Sequence, residues 1–166
     1  AAVLVIDDGF ATAYRDGDTT ILGAAQARAR AILAQLGPEA EVAVLRASED
    51  VGPGIELSRD HLRLRDRIGE LTPATRPADL TRALGRAAQV LAGSGHRART
   101  VFLISPLLAG SLRAEPPWGA DGPALVVVDN LETVEEFLEL VPSLARLAGT
   151  SRFLLTTRQT LRQFPY

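Results

Sequence analysis

Five short runs of apolar residues punctuate the chain, at Val3 to Asp7, Glu41 to Arg46, Thr100 to Ser105, Ala124 to Asp129 and Arg152 to Thr156. Each is close to continuously apolar rather than alternating, as expected of a strand covered on both faces of a parallel sheet. Between the runs lie segments with helical periodicity, long enough to serve as crossovers. The alternation predicts an α/β fold, doubly wound, with a mainly parallel sheet and helices on both faces.

The spacing predicts a first helix over about Thr20 to Leu36, with Leu22, Ala25, Ala29, Ile32, Leu33 and Leu36 on one stripe and Gly37-Pro38 ending it. Ala47 to Ser58 reads as a loop holding Asp50, Gly52, Pro53 and Gly54, followed by a short edge strand where Ile55-Glu56-Leu57 alternates. A helix over Arg59 to Leu71 aligns Leu57, His61, Leu64, Ile68 and Leu71, and Thr72-Pro73 stops it. Pro77 is expected to start the next helix, which buries Leu80, Ala83, Leu84, Ala87 and Leu91 and closes at Gly93-Ser94-Gly95. Ala109 to Pro123, with Pro116-Pro117-Trp118-Gly119, has turn chemistry and no period, and is read as a long surface loop. Val134, Phe137, Leu138, Val141, Leu144 and Leu147 define a last helix that Pro142 kinks or splits.

Length changes this picture little: 166 residues support one core, so the whole chain, 1–166, is read as one domain. It begins on a strand and stops at Pro165-Tyr166, consistent with a piece of a longer protein. No apolar run approaches the roughly 20 residues of a spanning helix, so no direct membrane insertion by this segment is expected. A net charge of −2 with both signs interspersed gives no footprint for nucleic acid. The chain has no cysteine, and all 18 of its basic residues are arginine. These absences exclude thiolate chemistry, a Schiff-base lysine and the phosphate-binding lysine of a P-loop within this chain.

Candidate chemistry gathers where the apolar runs end. Asp7, Asp8, Ser105, Pro106, Asp129, Asn130 and Thr157 all fall at or just beyond strand carboxyl ends, the edge where doubly wound sheets bind ligands. The order of strand, Asp7-Asp8-Gly9-Phe10-Ala11 turn, long helix, strand, edge strand, two helices and Val101-Phe102-Leu103-Ile104-Ser105 resembles a von Willebrand factor A domain, more specifically the one in bacterial aerotolerance-type membrane proteins. The resemblance covers about residues 1 to 128. It implies a divalent ion on an Asp-x-Ser-x-Ser turn, helped by a Thr before a later helix and an Asp after the fourth strand. Carried over, Asp7 keeps the first carboxylate, while Gly9 and Ala11 stand in place of the hydroxyls. Ala78, before Asp79-Leu80, takes the Thr position and Pro106 the Asp position. Glycine, alanine and proline side chains offer no oxygen to a hard cation such as Mg²⁺, which needs several. Asp8 and Asp79 are the available substitutes. The plain reading of Asp7-Asp8-Gly9 is a carboxylate capping its own turn, with Gly9 supplying conformational freedom.

A second resemblance covers the last third. Leu125-Val126-Val127-Val128-Asp129-Asn130-Leu131-Glu132, a helix, and Arg152-Phe153-Leu154-Leu155-Thr156-Thr157-Arg158 are similar to the Walker B and sensor strands of STAND-type P-loop ATPases. That resemblance implies a Mg²⁺-holding Asp129 with Asn130 beside it and a phosphate-sensing region at Arg158, with ATP as the ligand. No Gly-Lys-Ser/Thr loop accompanies them, so either many α/β folds share this unit or the segment descends from an ATPase whose phosphate-binding half is absent.

Other constellations read as structural. His61 sits on an apolar stripe as a satisfied, partly buried residue, and His96 in a Gly/Ser/Arg turn is expected to be solvated. Ser105 lacks a Gly-x-Ser-x-Gly elbow and an assigned His partner. Glu132, Glu135, Glu136 and Glu139 suit a solvated helix start. Trp118 is either a cover for the sheet or an exposed anchor for a partner. The expectation is a non-catalytic protein-interaction module with a degenerate metal site, no cofactor, and a contact edge at Asp7, Asp8, Gly9, Ala11, Ala78, Asp79, Ser105, Pro106 and Trp118. The competing expectation is a piece of a signalling ATPase that binds Mg²⁺ and ATP through Asp129, Asn130 and Arg158.

Overall fold

The computed structural model describes residues 1–49, 55–108, 111–112, 118 and 121–128. The run at Arg152 to Thr156, the helix from Val134 and most of the loop Ala109 to Pro123 lie outside the described residues.

Four parallel strands form the sheet: β1 (Ala2–Ile6), β4 (Val42–Arg46), β5 (Thr100–Ile104) and β6 (Ala124–Val128), in the order β4-β1-β5-β6. β1 is central because its five residues are apolar and buried on both faces. Val3 and Val5 point to one side, where they meet Ala43, Leu45, Val101 and Leu103 and the buried stripe of α3 (Leu80–Ala92). Ala2, Leu4 and Ile6 point to the other, against α1 (Ile21–Gln35) and α2 (His61–Gly69). Each fully buried Val, Leu or Ile contributes about 1.5–3 kcal/mol, so a polar residue inside β1 would be costly.

The helices begin where a side chain can satisfy a free N–H. Thr20 Oγ1 accepts from Gly23 N at 2.9 Å, Asp60 Oδ1 from Arg63 N at 3.0 Å, and Asp79 Oδ1 from Arg82 N at 3.0 Å. The last of these corrects the expected start at Pro77: α3 begins at Leu80 because the Asp79 carboxylate is the cap. At its other end α2 is tied to α1 by Gln26, whose Nε2 donates to the carbonyls of Ile68, Gly69 and Leu71 at 2.9, 3.2 and 3.0 Å.

Two further departures concern short elements. Ile55-Glu56-Leu57 forms no strand; beside β4 only Ser58 pairs, antiparallel to Val42, through two 2.9 Å hydrogen bonds. Between β1 and α1 lie a 3-10 turn (Phe10–Ala13) and a hairpin of β2 (Arg15–Asp16) and β3 (Thr19–Thr20), neither of which hydrophobic patterning could reveal. The hairpin closes on Gly17, whose φ of 61° is a conformation glycine adopts without steric cost. Among the described residues no helix is long and apolar enough to cross a membrane.

Candidate functional site

The sheet order brings together the carboxyl ends of three neighbouring strands: Asp7-Asp8-Gly9 after β1, Ala47-Ser48 after β4, and Ser105-Pro106 after β5. Their pairing continues one residue beyond the strands, since Asp7 N donates to Ile104 O and Ala47 N to Ile6 O, both at 2.9 Å. The two adjacent carboxylates therefore leave the sheet from fixed positions and diverge.

Asp7 turns toward β5. Its Oδ1 accepts from Gly9 N at 3.0 Å and its Oδ2 from Ser105 Oγ at 2.6 Å, while Ser105 Oγ in turn accepts from Leu107 N at 2.9 Å. The residue is 3% exposed. Burial pushes its carboxyl above the usual range, the hydrogen bonds from Ser105 and Gly9 oppose that rise, and the neighbouring Asp8 charge adds to it.

Asp8 turns toward β4 and has no exposed surface. Its Oδ1 accepts from Ser48 N at 2.9 Å, and its Oδ2 from Ser48 Oγ at 2.7 Å and Arg46 Nε at 2.6 Å. Three donors on a buried carboxylate, one of them charged, make a strong tether between the central strand and its neighbour. Asp79, the other substitute, is also committed: it caps α3 and pairs with Arg82 Nη2 at 3.2 Å.

The loop before α3 is laced onto this turn. Ala74 N donates to Asp8 O at 2.7 Å and Phe10 N to Arg76 O at 3.0 Å. The consequence appears at Gly9, where an added Cβ would lie 2.7 Å from Ala78 N and 3.2 Å from Ala78 Cβ. Position 9 is thus glycine because the loop backbone occupies the space of a side chain. Ala11 is half-buried in the 3-10 turn, which is held by the bond from Thr12 Oγ1 to Gly9 O at 2.7 Å. Pro106 is buried and offers no donor atom.

Ala78 brings a methyl against Gly9, the side chains of Ala11 and Pro106 carry no oxygen, and both carboxylates are already held by protein donors. Among the described residues no three of His, Asp and Glu converge as ligands. Both histidines sit near the opposite, amino end of β4, away from Ser105. His61 Nε2 donates to Ala40 O at 2.9 Å, as expected of a satisfied histidine. His96, half-exposed, is paired with Glu41 Oε2 at 2.9 Å, a bond that holds the Glu41 carboxyl below its usual range.

The same edge carries exposed apolar surface. Phe10 is 52% exposed, Tyr14 69% and Leu108 44%, on the segments that leave β1 and β5. Trp118, by contrast, is half-buried against the α3-side core with its ring over Gly122, so it acts as a cover. Asp129, Asn130 and Arg158 lie outside the described residues. Sequence reasoning did not find Arg46 and Ser48, although a doubly wound order puts the end of the second long strand beside the first. A basic residue and a hydroxyl there, facing Asp8, were the available signal.

The described fold has close structural parallels at low identity. It is similar to an aerotolerance-related membrane protein from Bacteroides fragilis carrying multiple mutations to serines, with a TM-score of 0.71, 10% identity, and coverage of 95% of this chain and 91% of that one. It is similar to the conserved hypothetical protein BatB from Bacteroides thetaiotaomicron, with a TM-score of 0.70, 11% identity, and coverage of 95% and 90%. A von Willebrand factor type A structure from Catenulispora acidiphila gives a TM-score of 0.64 at 17% identity, over 92% of this chain and 38% of that one. Comparison with curated proteins finds no match. The sequence profile of the von Willebrand factor type A domain matches residues 2–106, from the start of β1 through Pro106, and with this sheet order it makes the chain a member of the von Willebrand factor type A domain family.

Proposed function

We propose that this domain is a non-catalytic protein-interaction module that engages its partner at the strand carboxyl edge without a metal ion. The observation that carries the reading is the contact at Gly9. A ligand-bearing side chain has no room against the Ala78 backbone, and the Asp7 oxygens are held by Gly9 and Ser105. An edge of this kind can recognise a partner by shape and apolar contact, and Phe10, Tyr14 and Leu108 supply exposed apolar surface there.

Calorimetric titration with Mg²⁺ and Mn²⁺ tests the first half of the reading. No binding heat and an unchanged melting temperature in EDTA are expected; saturable binding that Asp7→Ala removes overturns it. Affinity capture tests the second half: a partner retained in EDTA should be lost from the Phe10→Ser/Leu108→Ser variant. Binding of ATP with Mg²⁺ that Asp129→Ala abolishes would instead assign the chain to nucleotide-linked signalling.

A further inference from the structure

Among the four large apolar side chains that stand exposed in the described residues, Leu62 is the most exposed, at 75%, and lies away from the strand edge on α2. It rims a groove of about 480 Å³ between α1 and α2, within the size range of pre-formed clefts, about 300–1,000 Å³. Leu33, Leu36, Pro38 and Leu62 give the groove its apolar lining. Its polar lining is Arg30, His61 and Arg65, with no carboxylate. Asp66 on α2 and Glu70 at its end line no part of the groove, and the carboxylate of Asp60 is turned to Arg63 N as the helix cap.

Arg30 and Arg65 are exposed and make no ion pair with any described residue. The bond from His61 to Ala40 O holds the first turn of α2 against the segment leaving α1, so the groove is built before anything enters it. An apolar trough between two helices, flanked by Arg65 and by Arg30, whose guanidinium lies over Gly69 at the end of α2, is complementary to a helix whose apolar stripe is bordered by Asp and Glu.

We propose that the groove between α1 and α2 docks an acidic amphipathic helix of a partner protein, its stripe seated on Leu36, Pro38 and Leu62 and its carboxylates on Arg30 and Arg65. This surface is separate from the strand edge, and the domain is then an adaptor with two independent contacts.

Fluorescence anisotropy tests this with a labelled model helix carrying Leu at i, i+3, i+4 and i+7 between Glu residues, and a counterpart with Lys in place of Glu. The Glu helix should bind at least about tenfold more tightly, and Arg30→Glu with Arg65→Glu should reverse that preference. Leu62→Asp should weaken binding about tenfold without changing the melting temperature, since the side chain is exposed. Phe10→Ser should leave the affinity unchanged; its loss would put the helix at the strand edge and overturn the assignment. Equal binding of the two helices overturns it as well. So does binding of phosphatidylserine vesicles through the same arginines when the Glu helix does not bind, which would make this a lipid surface. A dimer in sedimentation that Leu62→Asp disperses would make the occupant a second copy and likewise overturn it.

Discussion

At Gly9 one missing atom decides the character of the strand edge. Gly9→Ser adds a hydroxyl to the turn after β1, but its Cβ meets Ala78 N at 2.7 Å, so the loop before α3 must move. The variant is expected to lose about 1–3 kcal/mol in urea unfolding and to gain no Mg²⁺ binding in calorimetry. Asp7 supplies a second test. Because burial raises its carboxyl, the folded chain holds that proton more tightly than the unfolded chain does. The stability it contributes is complete below the unfolded value of about 3.9 and is lost as pH rises through the higher folded value. Asp7→Asn lacks this dependence, so the stability of the native chain relative to the variant should shrink from pH 3 to pH 7. Denaturant midpoints at matched pH measure it, and a difference that grows with pH would contradict the buried environment of Asp7. Leu107 shows how magnitudes settle a local conflict. Its φ of 45° costs roughly 1–2 kcal/mol, yet its side chain is 7% exposed in the α3-side core, and burial worth about 1.5–3 kcal/mol outweighs the strain. The placement of Asp7 and Ser105 at neighbouring strand ends was legible in the sequence because strand ends can be read from periodicity. The contact between Gly9 and Ala78 was not, since it joins a turn to a loop 69 positions away, and no local pattern encodes that approach.

Among the elements, the long ones were legible and the short ones were not. α1 and the four described strands each carry a full period of buried residues, which a pattern reading detects. The hairpin β2–β3 has two residues per strand and buries little, so its signal is confined to the turn residues Gly17 and Asp18. Ile55-Glu56-Leu57 carries the alternation of a strand without becoming one, because the adjoining edge of β4 pairs only at Ser58. Helix starts depend on side-chain caps more than on proline, which is why α3 begins after Asp79. α2, nine residues long, is too short to be stable alone, and its end relies on Gln26 of α1. Gln26→Ala should lower stability by about 1–2 kcal/mol by removing the donor shared by three carbonyls. Gln26→Glu should cost more, because a carboxylate placed against those oxygens repels them. Equal losses in thermal unfolding would mean that Gln26 acts by packing rather than as a donor.

For the molecule as a whole, the core and the exposed apolar surface lie apart. The core lies on the two faces of the sheet, while Phe10 and Leu108 face outward at its carboxyl edge. Phe10→Ser combined with Leu108→Ser should therefore shift unfolding free energy by no more than about 0.5 kcal/mol per site, and a larger loss in urea unfolding would show that these side chains belong to the core. The fold class follows from the alternation of strands and crossover helices, so the overall architecture was the most legible level of all. The sharing of buried carboxylates between neighbouring strands was the least, because it depends on which strand ends meet. The pairing of Val42 with Ser58 has a consequence of its own. Two reciprocal bonds pin the first residue of β4, and among the described residues Val44, next on that outer side, has no backbone partner there. Strand parity turns the amide of Val44 to that outer side and those of Ala43 and Leu45 toward β1. In deuterated solvent Val44 should take up label well before either neighbour, so that the sheet carries along one edge a readable clock of its own local opening.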